Sequence, residues 1–343
     1  MNHATTHVQR SPGRLSRRGF LGLTAGVGAA GLLAACGSDP NTVRIINTSA
    51  TAAVALNQLL SDGKYFEKFG VQAKISNVSS GNQVLAAVAS GSSDLTMTSG
   101  LIGILPGIEK GMRLKVVGGT QVVSTSALFS SDPRITSARD LGGKTLGVGA
   151  VGSELYAVFA ALLAKYGIPK ESATFRNVGS SADSLKAALA GQVDCGYGQV
   201  GNQVLAKKRN TRMIATVNEE LPLWMNNAAV ASTQAISAKR PAMVKVLAAY
   251  AQLFSYLCTP ESEDPYVRAY VGAGGSQAEG ELEWQFVSRN AAYSPTLEFP
   301  ANKAEFIQRQ NVASGSQKKV MAYNSYTDLS LRAEALALAL ARK

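Results

Sequence analysis

From residue 43 onward, short apolar runs alternate with Ser/Thr/Gly/Asn turns and with longer apolar stretches of helical period. Residues 43–47 read as a strand, 48–51 as a turn carrying helix-capping residues, and 52–69 as a helix. A strand at 71–78, a turn at 79–82 and a helix at 83–90 follow, then a strand at 95–97, with Ser99-Gly100 opening another helix. Further on the order recurs. A strand at 145–148, a turn at 149–153 and a helix at 154–166 end at Gly167 and Pro169, and strand 173–178, turn 179–181, helix 183–190 and strand 194–197 follow. This βαβα order predicts α/β lobes with largely parallel sheets. About 300 residues are enough for two such domains.

The two halves also match each other at an offset of 100 residues. Ser80, Leu85, Ala87, Gly91 and Asp94 align without gaps on Ser180, Leu185, Ala187, Gly191 and Asp194. In both copies a turn, a short helix, a Gly and an Asp lead into a strand, which predicts two related lobes.

The N-terminus has a different character. Residues 1–35 contain Arg10, Arg14, Arg17 and Arg18, no acidic residue, and an apolar run from 20 to 35. That run is shorter than the roughly 20 residues of a spanning helix, so it reads as an export signal. Ser16-Arg17-Arg18-Gly19-Phe20-Leu21 resembles the twin-arginine export motif, and Leu33-Ala34-Ala35-Cys36 resembles a lipobox. The expectation is cleavage before Cys36, lipidation of that thiol, and a tether over 36–41 that holds the protein on the extracytoplasmic face of the cell membrane. Two or more acyl chains make such attachment stable.

Removing the signal changes the composition. The formal charge falls from +11 to about +7. The densest basic run, Lys207-Lys208-Arg209, lacks interleaved aromatics and reads as a solvated face, so no nucleic-acid partner is expected. Both histidines, His3 and His7, lie in the signal. Their loss excludes His-dependent catalytic triads and His-ligated metal sites, and no Gly-x-x-x-x-Gly-Lys loop is present. No catalytic residue, metal or cofactor is expected. Cys195 and Cys258 read as buried free thiols, with a disulfide as the alternative in an oxidising compartment.

The repeated segments carry a family resemblance. Residues 85–95 and 185–195 look like the A-L-x-x-G-x-x-D segments of the nitrate, sulfonate and taurine solute-binding family, which includes binding proteins for thiamine-precursor pyrimidines. Residues 140–148, Asp-Leu-Gly-Gly-Lys-Thr-Leu-Gly-Val, are similar to the D-L-x-G-K-x-x-G-V motif that opens the family's second lobe. The resemblance implies a bilobed periplasmic-binding-protein fold with two crossings, placed near 123–127 and 229–233. The lobes would be 42–124 plus 232–343, and 125–231. It also implies a monomeric receptor that delivers a small ligand to separate ABC permease and ATPase chains.

Ligand residues are then expected beyond the carboxyl ends of the strands. The turns there supply Thr48, Ser49, Ser80, Gly81, Asn82, Ser99, Gly100, Gly152, Ser153 and Ser181, and the crossing supplies Thr125. Their hydroxyls and helix N-termini suit an oxyanion such as a sulfonate or carboxylate, although the same residues are ordinary helix caps. Tyr197, which with Gln199 ends a second-lobe strand, and Trp224 sit where an aromatic can stack on an organic ligand or pack in the core, and Tyr156 favours packing. Glu154 can receive an amine, as a taurine-like zwitterion requires, or offset the helix dipole. Two other classes share the architecture. A pyrimidine-synthase-like enzyme relies on histidines and a cysteine-rich motif, and a transcription regulator would begin with a helix-turn-helix. A non-transporting surface receptor stays open.

Overall fold

The computed structural model describes residues 39–342. The export and lipidation motifs at Arg17, Arg18 and Cys36 lie outside the described residues. In chain order, β1 (Thr42–Thr48), α1 (Thr51–Asp62), α2 (Tyr65–Lys68), β2 (Gln72–Val78), α3 (Gly81–Ala89), β3 (Leu95–Gly100), α4 (Leu101–Glu109) and β4 (Leu114–Gly119) come first. Next are β5 (Ser126–Ser130), β6 (Thr145–Val148), α5 (Glu154–Lys165), β7 (Thr174–Asn177), α6 (Ser181–Leu189), β8 (Gly196–Gln199), α7 (Gln203–Lys208), β9 (Arg212–Thr216) and α8 (Val217–Glu220). The chain ends through β10 (Asn227–Ser232), α9 (Thr233–Tyr256), α10 (Glu263–Gly272), α11 (Gln277–Arg289), α12 (Ala301–Ala313), α13 (Tyr323–Tyr326) and α14 (Ser330–Leu340).

The first sheet has the order β2-β1-β3-β10-β4. The second lobe holds β8-β5-β9 and β6-β7, joined by a parallel bridge between Leu146 and Cys195, so its order is β7-β6-β8-β5-β9. The two orders are the same, with β10 in the place of β5. Both sheets are mixed: β1 runs parallel to β2 and β3, but β10 is antiparallel to β3 and β4, and β5 to β8 and β9. The antiparallel members are the strands the chain enters straight after crossing between lobes. A βαβ reading cannot anticipate them because no helix precedes them on the same sheet.

Residues 229–233, read as the return crossing, instead close β10 and open α9. Ala228 to Ser232 pair with β4, and the other edge of β10 pairs with β3. The crossing therefore precedes Asn227. The helix expected over 52–69 is also interrupted. A Cβ on Gly63 would stand 2.4 Å from the Tyr65 ring, and Lys64 has φ of 50°, so α1 stops and α2 begins anew.

The repeat holds in atomic detail. Helices α3 and α6 start and stop at the same offset, capped by the hydroxyls of Ser80, which accepts from Gln83 N, and Ser180, which accepts from Asp183 N. Gly91 and Gly191 follow with φ of 76° and 66°, the left-handed conformation that ends a helix and favours glycine. Asp94 Oδ2 then accepts from Arg44 N at 2.8 Å, and Asp194 Oδ2 from Thr145 N at 2.7 Å. Asp94 does more than its counterpart. It is buried, and it also receives the Arg44 guanidinium at 2.7 Å and Lys239 at 2.8 Å.

One apolar cluster packs α1, α9 and α14 on the first sheet through Leu56, Leu247 and Ala335. A second runs from Ile46 and Leu105 through Leu128, Phe159 and Trp224 to Ile307, and so joins the two lobes. Among the described residues Cys195 and Cys258 form no disulfide; Cys195 is buried as expected, whereas Cys258 is exposed.

Candidate functional site

Helix α5 points its N-terminus at the first lobe, and the sequence before it explains how. A Cβ on Gly149 would meet Ser153 Oγ at 2.7 Å and Gly179 O at 3.1 Å, so the loop after β6 can fold tightly only without a side chain there. Gly152 then turns with φ of 85°. Ser153 is extended and its hydroxyl accepts from Tyr156 N at 3.4 Å, which makes it the N-cap of α5.

Glu154, the first residue of α5, does not point into solvent. Its carboxyl is enclosed, although the residue as a whole is half-buried. Oε1 receives the Tyr197 hydroxyl at 3.3 Å and the Trp224 indole N–H at 3.4 Å. Oε2 faces the first lobe, 3.9 Å from where a Cβ of Gly100 would stand. Burial lifts the carboxyl pKa to about 7, against the opposing pull of the Trp224 and Tyr197 hydrogen bonds. None of the ion pairs among the described residues involves it.

Two polar chains extend from this point through the crossings. Tyr197 is buried, and its hydroxyl lies 2.5 Å from Ser126 Oγ, to which Asn226 Nδ2 donates at 3.4 Å. Burial pushes the phenol well above its ordinary pKa, so it stays a donor. Asn226 Oδ1 is buried without a partner. Beside it, the carboxamides of Asn227 and Gln121 meet at 2.9 Å, Gln121 donates to Thr125 Oγ1 at 3.0 Å, and Thr125 donates to Gln199 Oε1 at 2.7 Å. Trp224 is buried in the second apolar cluster, edge-on to Phe306 with ring centres 6.3 Å apart, so its ring packs in the core and only its N–H reaches the Glu154 carboxyl.

The fold thus brings together Gly100, Thr125, Gly152, Ser153, Glu154, Tyr197, Gln199 and Trp224. Thr48 N donates to Thr98 Oγ1 at 2.8 Å, and Ser99 is buried opposite Ala228 in the sheet. Ser49 is exposed, and its N–H extends the pairing of β1 with β2 through Val78 O. Ser80, Gly81 and Asn82 are exposed at the start of α3 behind the edge strand β2, and Ser181 occupies the same place on α6 behind β7. Tyr156 packs on Phe175 with ring centres 4.8 Å apart.

Sequence reasoning passed over Ser126, Asn226, Asn227 and Gln121. Two signals were in the chain: the hydroxyl run Ser124-Thr125-Ser126 at the crossing, and the Asn226-Asn227 pair directly before an apolar strand. A groove of about 610 Å³ lies elsewhere, on the outer side of the first lobe between α1 and α10, lined by Asp62, Tyr65, Tyr256 and Arg268. It is remote from the crossings, and among the described residues no buried unpartnered polar atom lines it.

Comparison with known proteins bears on this architecture. The family model described as NMT1/THI5 like matches residues 61–262. No curated protein matches the chain in sequence. Among solved structures, the chain is similar to the putative periplasmic sulfonate-binding protein SsuA of a sulfonate ABC transporter from Methylobacillus flagellatus KT. The TM-score is 0.70 at 17% identity, covering 87% of this chain and 94% of that one. The alkanesulfonate-binding protein SsuA from Xanthomonas axonopodis pv. citri, bound to MOPS, gives 0.64 at 20% identity over 87% and 98%. The desulfurization enzyme DSZB gives 0.63 at 12% identity over 87% and 99%. The periplasmic-binding fold is therefore shared with receptors and with an enzyme, and the likeness at such identities is one of fold. With its family model matched over more than half of its length, the chain belongs to the NMT1/THI5-like family.

Proposed function

We propose that this chain is the extracytoplasmic solute-binding component of an ABC importer and that its ligand presents an N–H group to Glu154. The carrying observation is the enclosed Glu154 carboxyl, held by Tyr197 and Trp224 at one oxygen and facing Gly100 of the other lobe with the second. That free oxygen suits an amine or an amino-substituted heterocycle. A bare sulfonate offers only acceptor oxygens, and an ionised carboxyl repels it. Taurine-like zwitterions and aminopyrimidines fit this chemistry better than simple alkanesulfonates. Trp224 holds the carboxyl in place from the core, and Asn226 Oδ1, Ser153 and the N-terminus of α5 supply the remaining polar contacts.

The ligand acts by bridging the lobes. We assign 42–119 plus 227–342 to the first and 126–226 to the second, with the crossings between. Ligand that contacts Glu154 and Gly100 at once favours the closed form, which then docks on the permease. No bond is made or broken. Cys195 is fully buried, with its thiol pushed far above the ordinary range by burial, and Cys258 sits just past α9, outside the cleft. With no histidine after the signal, neither thiol has an imidazole to activate it. The receptor works as a lipid-anchored monomer, exported through the Arg17-Arg18 motif and held by Cys36.

A thermal-shift screen with aminopyrimidines, taurine and alkanesulfonates tests the ligand class. A ligand at a hundred times its Kd stabilises by about 2.7 kcal/mol, and the reading requires N–H-bearing compounds to lead that ranking. For the anchor, Cys36→Ala should release the protein from membranes, and Arg17→Lys with Arg18→Lys should block export.

A further inference from the structure

We infer that the end of the first lobe where β1 begins is a docking face for anionic phospholipid headgroups, an inference that rests on lipid attachment at Cys36. The first support is covalent reach. Five residues lie between Cys36 and Thr42, the start of β1, so this end stays within about 20 Å of the anchored residue even with the intervening chain fully extended.

The second support is the charge gathered at that end. The turn Phe69-Gly70 is its centre: Asn41 Nδ2 donates to Gly70 O at 3.2 Å, and Lys245 Nζ to the same oxygen at 3.2 Å. Arg342 donates to Lys68 O and lies over the Phe69 ring at 5.6 Å. Lys64 precedes α2 and Lys68 ends it, and Lys74 stands exposed on the edge strand β2. None of these five cations belongs to an ion pair among the described residues, whereas Arg44 and Lys239, also at this end, are both paired with the buried Asp94, and Lys165 and Arg240 elsewhere are paired as well. Asp39, Glu67 and Asp62, the last at the end of α1 beside Lys64, offset them only in part.

The two supports reinforce each other. An acyl anchor holds a weak basic face at high local concentration beside the bilayer, where each Lys or Arg adds about fivefold to partitioning. Strand β1 runs from this face toward the cleft. A protein resting here holds the cleft away from the bilayer, open to solute. The chain also carries a denser basic run at Lys207, Lys208 and Arg209, exposed on the second lobe. That run has no covalent reason to meet the membrane, which makes it the control.

The test uses the exported chain from Gly37 onward, without its lipid, and sedimentation with vesicles of equal parts phosphatidylglycerol and phosphatidylcholine at low salt. The parent should bind these vesicles and leave pure phosphatidylcholine vesicles unbound. Lys64→Glu/Lys68→Glu/Lys74→Glu should lose at least about tenfold in partitioning, while Lys207→Glu/Lys208→Glu/Arg209→Glu, of equal net charge, should stay within about threefold of the parent. Equal losses in the two triple variants, or no binding by the parent, would overturn the docking face. Lys74→Glu alone, on an exposed edge, gives the same comparison against Lys207→Glu if the triple variant does not fold. Lipidation of Cys36 is measured apart from this, by the mass of the N-terminal peptide, so a failed anchor and a failed docking face give different results.

Discussion

Glu154 and Trp224 lie 70 positions apart, yet the indole N–H of one meets the carboxyl of the other at 3.4 Å. Glu154 opens α5, and Trp224 precedes the strand that returns the chain to the first sheet. The contact therefore joins the second lobe's helix N-terminus to the hinge, and it leaves the second carboxyl oxygen free toward Gly100.

This buried carboxyl makes stability depend on pH. Glu154 and Glu283 are both raised by burial from 4.5 to about 7. Below about pH 4.5 each is protonated in the folded and unfolded chains alike, and no penalty arises. Between 4.5 and 7 the folded protein binds the extra proton, so stability falls as pH rises and levels off above about 7. Each contributes a loss on the order of 3 kcal/mol. Thermal unfolding from pH 5 to 8 should show Tm falling for the parent, and Glu154→Gln or Glu283→Gln should each flatten the slope. A Tm that rises over this range contradicts both assignments.

Tyr197→Phe deletes the hydroxyl between Ser126 and Glu154. It should cost about 1 to 3 kcal/mol in the ligand-free protein, because a buried carboxyl oxygen loses a donor, and it should move the Glu154 pKa higher still. Chemical denaturation gives the first quantity. The shift of the pH-stability midpoint gives the second, and only a hydrogen bond to Glu154 predicts both.

On the hinge side, α11 clamps the turn 200–202. Gly201 N donates to Glu283 Oε2 at 3.1 Å, and Asn202 Nδ2 to Glu279 Oε1 at 3.1 Å. A Cβ on Gly201 would stand 2.6 Å from Glu279 O. Gly201→Ala should therefore force α11 away from the second lobe, lower stability by about 1 to 3 kcal/mol and increase the radius of gyration in small-angle scattering. An unchanged radius would mean that the clamp does not set the lobe angle.

The repeated aspartates should differ in cost. Asp94→Asn leaves Lys239, 5% exposed, without its counter-charge, and should cost about 3 to 5 kcal/mol. Asp194→Asn loses a charge-assisted hydrogen bond to Thr145 N with no buried cation behind it, and about 1.5 to 3 kcal/mol is expected. Denaturant midpoints of the two variants decide the order.

Local pattern made much of this fold legible. The offset match at Ser80/Ser180 and Asp94/Asp194 reports real caps and real strand anchors, because capping and left-handed helix ends are short-range chemistry that a sequence carries openly. The placement of β10 was not legible. Ala229 and its neighbours look like a linker beside the strand-helix repeats, and only pairing with β3 and β4, more than a hundred residues earlier, makes them a strand. The site divides in the same way. Glu154 and Tyr197 are singled out by a helix start and a strand end and Trp224 by its place before the return crossing, while Ser126 and Asn226 enter through their contacts across the crossings. Ser80 to Asn82 and Ser181 have the same composition as the cleft turns, and composition cannot tell an edge strand's exit from a central one.

The most direct test of the central claim is calorimetric titration of the parent and Glu154→Gln with two kinds of ligand, N–H-bearing (aminopyrimidines and taurine) and bare (alkanesulfonates). If Glu154 receives a ligand N–H, the substitution should weaken the first kind by at least about tenfold and leave the second kind unchanged or tighter, because a repelling charge is gone. Taurine should also bind the parent about tenfold more tightly at pH 8 than at pH 6, as the carboxyl ionises through about 7. Loss of affinity for alkanesulfonates in Glu154→Gln, or aminopyrimidine and taurine binding that the substitution does not change, would contradict the account.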